Sequence, residues 1–228
     1  MNERAVLCDS SALISLTDSC LDNVLSFFHS KSNLKFVIPP SVEYETILRP
    51  LNSDLKQYLF SAVKIQRLVK DGIVSRIDMN VREKAARVLE LANNMLYVKG
   101  KPMKLLHLGE AEMIALANEL DVKDILIDER TTRMLIEAPF RIKEHIEHEF
   151  GVSVLLNNES MHSFSSLTSG MRVLRSSEMV MLAYENGFFD GFGADSKKNA
   201  VNCALYKIKF SGCSIRFDEI FEYLQSVD

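Results

Sequence analysis

Residues 108–138 read LGEAEMIALANELDVKDILIDERTTRMLIEA, and this stretch decides the fold. From Glu110, apolar residues recur at Met113, Ile114 and Ala117, the i+3, i+4 and i+7 spacing of one helix face. The spacing predicts a helix beginning near Gly109. A short apolar run, Ile125 to Ile127, then stops at Asp128, as a buried strand does. The segment ERTTRMLIEA returns to helical spacing. Helix, strand and helix in immediate succession point to a parallel sheet covered by helices.

The rest of the chain extends this alternation. AVLCDSSALISL opens with an apolar run, Ala5 to Cys8, ended by Asp9; it reads as a strand, with Ser10 and Ser11 as helix caps. KFVIPP gives a second strand, Phe36 to Ile38, halted by Pro39 and Pro40, and SVEYETIL a short helix closed by Pro50. Residues 53–70 and 80–98 read as two amphipathic helices with a strand in GIVSRI between them. FRIKEHIEHEF is helical, and VSVLL after Gly151 a last strand. Beyond residue 157 only helical periodicity remains, in SEMVMLAYENG, KKNAVNCALYKIKF and RFDEIFEYLQSV. The expectation is an α/β domain over residues 1–156, three layers deep with a central parallel sheet, followed by a helical extension over 157–228.

Composition narrows the function. In 228 residues, 47% are hydrophobic, 25% are charged and the net charge is -4, which excludes a disordered chain and a basic nucleic-acid coat. A nucleic-acid contact therefore requires a local patch. Cys8, Cys20, Cys203 and Cys213 form no C-x-x-C pair and read as buried thiols in a reducing compartment. The apolar run at the start is broken by Asp9, and no 18-residue apolar stretch follows. A cytoplasmic protein without a membrane span is expected.

In a parallel α/β sheet, ligands gather beyond the carboxyl ends of the strands. Asp9 and Asp128 end two of the predicted strands. Glu110 leans onto the apolar face at a helix entrance, and Glu45 lies three residues from both Val42 and Leu48. Glu43 and Glu112 fall on polar faces, where first-turn acids serve the helix dipole. Should Asp9, Glu45, Glu110 and Asp128 converge, their charges need an opposing cation, and a set of oxygen donors suits Mg²⁺ or Mn²⁺. Such a site is suited to phosphodiester cleavage.

VLCDSSALISL, FVIPPSVEYETIL and LHLGEAEMIALANELDVKDILIDERTTRML, in that order over residues 4–140, together resemble the PIN-domain family. The resemblance implies a PIN-like fold and an Mg²⁺- or Mn²⁺-dependent endoribonuclease. It places Asp9, Glu45, Glu110 and Asp128 as the four acids that bind metal and catalyse, with Ser10 or Ser11 as the hydroxyl beside the first. The third acid is Glu where many members have Asp, and residues 53–104 form an insertion longer than a minimal PIN domain. Some members of the wider family have lost cleavage, so a silent module binding RNA or a protein is the second expectation. A toxin held by an antitoxin shares the chemistry of the first, and the sequence leaves room for a homo-oligomer. Arg130 and Arg133, within a turn of Asp128, are expected to touch substrate phosphate.

Other signals lead elsewhere. His145 and His148 are three apart, not four as in a zinc-binding H-E-x-x-H helix. GFFDGFGADS follows no predicted strand and is not a dinucleotide loop; its phenylalanines are expected to pack on the core. A haloacid-dehalogenase phosphotransferase needs an acid two residues after Asp9, where Ser11 stands.

Overall fold

A computed structural model describes residues 4–53 and 56–225. Five parallel strands form the central sheet: β1 (Ala5–Cys8), β2 (Lys35–Ile38), β3 (Val74–Arg76), β6 (Asp124–Leu126) and β8 (Arg172–Leu174). Their order across the sheet is β3-β2-β1-β6-β8. Leu7 lies between Val37 of β2 and Ile125 of β6. A second sheet joins β4 (Leu96–Val98) to β5 (Lys101–Pro102) and β7 (Leu155–Leu156), all antiparallel. Lys99 and Gly100, with φ of 51° and 76°, form the two-residue turn between β4 and β5, as positive φ at both central positions of such a hairpin requires.

Strand alternation builds two cores. Val6 and Cys8 face one cluster and Leu7 the other, the period-two pattern of a sheet buried on both faces. The first cluster takes Leu13 and Leu16 of α1 (Ser10–Asp18), Leu25 of α2 (Asn23–Ser32), Ile65 of α5 (Leu59–Lys70), Val180 of α11 (Ser176–Glu185), Leu205 of α12 (Ala194–Phe210) and Ile220 of α13 (Phe217–Gln225). The second takes Val88 of α6 (Arg82–Asn93), Ile114 of α7 (Leu108–Leu120), Leu135 of α8 (Arg130–Glu137), Ile146 of α9 (Ile142–Phe150) and Phe164 of α10 (Asn158–Leu167). Helix, sheet and helix are the three layers that the alternation predicts.

Several readings of the sequence need correction. The segment from residue 157 is mostly helical but also supplies β8, which pairs with β6 through Leu126↔Leu174. Its helices α11 and α12 fill much of the first core, so it is woven into the domain. The helix expected over 80–98 ends at Asn93, and Leu96–Val98 turn into β4. VSVLL contributes only Leu155–Leu156, which pairs with β4 outside the main sheet. Cys8 and Cys213 are buried, but Cys20 and Cys203 are exposed.

Pro50 does not end its helix. The segment runs from α3 (Pro40–Glu43) through a π-helical turn, Tyr44–Leu48, into α4 (Arg49–Leu51), which holds Pro50. Proline at this position clashes with the carbonyl four residues back in an α-helix. The widened turn, closed by the Arg49 N–H on the Tyr44 carbonyl, accommodates it. Phe188 and Phe189 pack edge-on against one another, and Phe189 is buried, whereas Phe192 is exposed. Arg175 is buried and bonds Glu178 and, at 3.0 Å, Glu219. Tyr223 donates to Glu178 at 2.9 Å, which fastens α13 to α11. Among the described residues, no helix is long and apolar enough to cross a membrane.

Because β8, α11 and α12 complete the sheet and one core, a chain cut after residue 156 is expected to lose cooperative folding. Urea denaturation followed by circular dichroism checks this; a sigmoidal transition in the shortened chain would mean that 157–228 is a separable appendage.

Candidate functional site: an acidic cavity at the sheet's switch point

The chain leaves β1 towards β2 on one side, and β6 arrives on the other. Connections diverge at this pair, so the loops beyond β1 and β6 leave a crevice. The Asp9 N–H bonds the Leu126 carbonyl at 2.9 Å, which carries the ladder one residue beyond the strand and sets Asp9 at the crevice floor. Asp9 itself, rather than Ser10 or Ser11, is the N-cap of α1; its carboxylate accepts the Ser11 N–H at 3.0 Å and the Ser11 hydroxyl.

Glu45 reaches the crevice from the π turn, where the extra residue rotates its side chain relative to a regular helix. It is more exposed than its apolar stripe suggests, and it accepts the Ser10 hydroxyl at 2.6 Å. Opposite stands Gly109, buried in the first turn of α7. A Cβ there would sit 3.3 Å from Glu45 Oε1, so the missing side chain lets this carboxylate lie against the helix. Glu110 accepts the His107 N–H at the start of α7 and the Thr132 hydroxyl at 3.2 Å.

These residues line a cavity of about 370 Å³ with Ile14, His107 and Glu129. Three of the four predicted acids, Asp9, Glu45 and Glu110, are thus brought together, along with Ser10 and Ser11. Asp128 is not among them. Its side chain is fully buried and accepts the Ser176 N–H at 2.7 Å and the Ser176 hydroxyl, fixing the start of α11. Its backbone stays near the site: the Asp128 N–H donates to Ser11 Oγ at 3.1 Å, and its carbonyl accepts the Ser214 N–H at 3.3 Å. The fourth carboxylate in the cavity is Glu129, the N-cap of α8, which accepts the N–H groups of Thr131 at 2.9 Å and Thr132 at 2.6 Å.

The exchange of Asp128 for Glu129 follows from strand alternation. Leu126 faces the core that holds α11, so Asp128, two residues on, points the same way. The D-E-R-T-T sequence carries a further signal, since a capping side chain must meet N–H groups two and three residues ahead; from Glu129 these are the two threonines. Arg130 is exposed, and Arg133 pairs with Glu137 at 3.6 Å. Neither arginine lines the cavity. His145 pairs with Glu149 at 2.8 Å on its own helix.

Among the described residues, no lysine or arginine lines the cavity. Burial pushes the Asp9 carboxyl above its ordinary range; the Ser11 hydrogen bonds oppose this, and the Glu45 charge adds to it. Burial pushes Glu110 up to about 7; the His107 N–H pulls it back, and the charges of Asp9 and Glu129 raise it further. Carboxylates crowded without a counter-charge hold protons in this way. The carboxylates of the lining offer oxygen donors whose charge is uncompensated, which fits a hard divalent cation in chemistry, and the His107 ring is the one nitrogen-bearing side chain among the lining residues described. The side chains are turned to their own hydrogen-bond partners, and among the described residues no three acids, histidines or cysteines are grouped closely enough to hold an ion.

Two stability predictions follow from this electrostatic contrast. Folded Glu110 keeps its proton to about pH 7, whereas an unfolded glutamate releases it near pH ~4.3. The folded state therefore binds more protons across that window, and stability falls as pH rises through it. Glu110→Gln is expected to flatten this slope in urea unfolding between pH 5 and 8 with EDTA. Asp128→Ala, which strips the bonds to Ser176, is expected to destabilise the protein by about 3 kcal/mol, while Asp9→Asn retains a capping side chain and does not. Equal losses in the two variants would contradict the assignment of Asp128 to the scaffold.

Comparison with models of known protein families and with curated proteins finds no match for this chain.

Proposed function

We propose that this chain is a PIN-like, metal-dependent endoribonuclease whose site is Asp9, Glu45, Glu110 and Glu129. The observation that carries the reading is the convergence of Asp9, Glu45 and Glu110, from three separate elements, on one cavity at the switch point with no lysine or arginine in its lining among the described residues. Free energy is lost by holding these acids together without a counter-charge. A scaffold that keeps them so is explained when a cation occupies the cavity.

Asp9, Glu45 and Glu110 would hold the ion, and Glu129 would add charge from the α8 cap. When bound, a divalent ion supplies charge neutralisation at the phosphodiester and activation of the attacking water. The chain's own part is positional. Ser11 and the β1 ladder fix Asp9, Ser10 steadies Glu45, and the His107 N–H and Thr132 orient Glu110. Glu110 would lose its proton on metal binding, because a cation's charge would offset the burial and the Asp9 and Glu129 charges that raise its proton affinity. The side chains must close by rotamer changes, which Glu45 on its exposed turn can make most freely.

A second reading is a silent PIN-like module that binds RNA or a protein. It is favoured by the absence, among the described residues, of a tight group of three ligands. Incubation of mixed single-stranded RNAs with Mn²⁺, Mg²⁺ or EDTA separates the two. Wild type is expected to cut only with metal, and Asp9→Asn and Glu45→Gln to lose at least about a hundredfold in rate, the scale of removing a principal electrostatic contact. Cutting by all three proteins alike would sink the assignment. RNA or protein binding without cutting, and without Asp9-dependent Mn²⁺ affinity, would establish the silent module.

A further inference from the structure

The acidic cavity has a neighbour. Ser11 and Ile14 line it on one side of α1, and the same two residues line a second cavity of about 510 Å³. Helix α1 is therefore a ridge between two hollows. Asp18, Gln57, Tyr58 and Phe210 also line the second. Its volume falls within the roughly 300–1,000 Å³ of small-molecule sites.

The lining has an unusual balance. Tyr58 is 37% exposed and Phe210 is 74% exposed, although burying an aromatic ring is favourable. Phe210 also belongs to a group of rings on the surface. Its centroid lies 6.5 Å from that of Tyr206 and 6.3 Å from that of Phe217, and these two are 5.9 Å apart. Lys209 Nζ stands 4.3 Å over the Phe217 ring. That ammonium also donates to the Ile215 carbonyl and covers one ring face, whereas the exposed Phe210 ring is the kind of platform on which unpaired bases stack. Gln57 offers both a donor and an acceptor, and the Asp18 carboxylate only acceptors. The Asp18 carboxylate already accepts the Ser61 hydroxyl, so the open polar group is the Gln57 amide, and a flat aromatic ligand with a polar edge gives it a partner that an apolar peptide does not.

We infer that the second cavity is a base-binding subsite. The nucleotide beside the cleaved phosphodiester turns out of its stack over α1, its ring lies against Phe210 and Tyr58, and its polar edge meets Gln57. The identity of the neighbouring phosphodiester rests on the nuclease reading above; the base contact does not.

The chain contains no tryptophan, so 2-aminopurine in a single-stranded oligoribonucleotide can be excited without protein background. With Mn²⁺ and the Asp9→Asn protein, which keeps the RNA whole, fluorescence is expected to fall as the probe stacks. Phe210→Ala and Gln57→Ala, both made at exposed positions, are expected to restore the signal and weaken binding about ten- to a hundredfold for the ring and less for the amide. Unchanged quenching and affinity in both variants overturn the subsite, and metal-dependent, Asp9-dependent cutting would then still stand. Quenching that depends on Phe210, in a protein that never cuts, retains the subsite and removes the nuclease reading. No RNA binding, with Phe210→Ala dissolving a self-associated form in sedimentation, overturns the subsite in favour of a protein contact.

Discussion

Parallel pairing of β1 on both its edges is the constraint from which the rest follows. Leu7 must match Val37 on one side and Ile125 on the other, and both faces of the strand must be buried. A one-residue slip would turn Leu7 towards the core built for Val6 and Cys8. The register therefore fixes Asp9 just beyond the last paired residue, beside the end of β6. Divergence of the connections at this pair opens the crevice, and Glu45 from the π turn after α3, Glu110 from the first turn of α7 and Glu129 from the cap of α8 line it.

Buried acids in this protein find two different solutions. Asp128 is solvated internally, since Ser176 supplies both a backbone and a hydroxyl donor, and such bonds can replace water around a carboxylate. Asp9 and Glu110 are bonded too, but burial raises their proton affinities and the charges of neighbouring acids add to this. Arg175 shows the third case, a buried charge matched directly by Glu178 and Glu219.

Much of this was legible in the sequence, and the gaps have physical causes. β1, β2 and β6 announce themselves as short apolar runs ended by Asp9, Pro39 and Asp128, and α7 by its 3.6-residue spacing. Asp9, Glu45 and Glu110 follow from asking what stands at strand and helix ends. Glu129 was hidden because Asp128 and Glu129 are adjacent acids, and only the orientation of the last strand residue separates them. β8 was hidden because its three residues carry too little pattern beside the strong helices around them. The continuation past Pro50 was hidden because a proline normally ends a helix, and the π turn that admits it depends on tertiary packing.

The Asp128 linkage also bears on how the protein is made. The acids of the cavity all lie in the first 129 residues, so they leave the ribosome early. Their fixation does not. Ser11, which holds Asp9, is itself held by the Asp128 N–H, and Asp128 is held by Ser176 and Ser214. A nascent chain that ends before those serines carries every acid of the cavity without the frame that orders them. The order of the cavity therefore depends on the last quarter of the chain, which supplies Ser176 and Ser214.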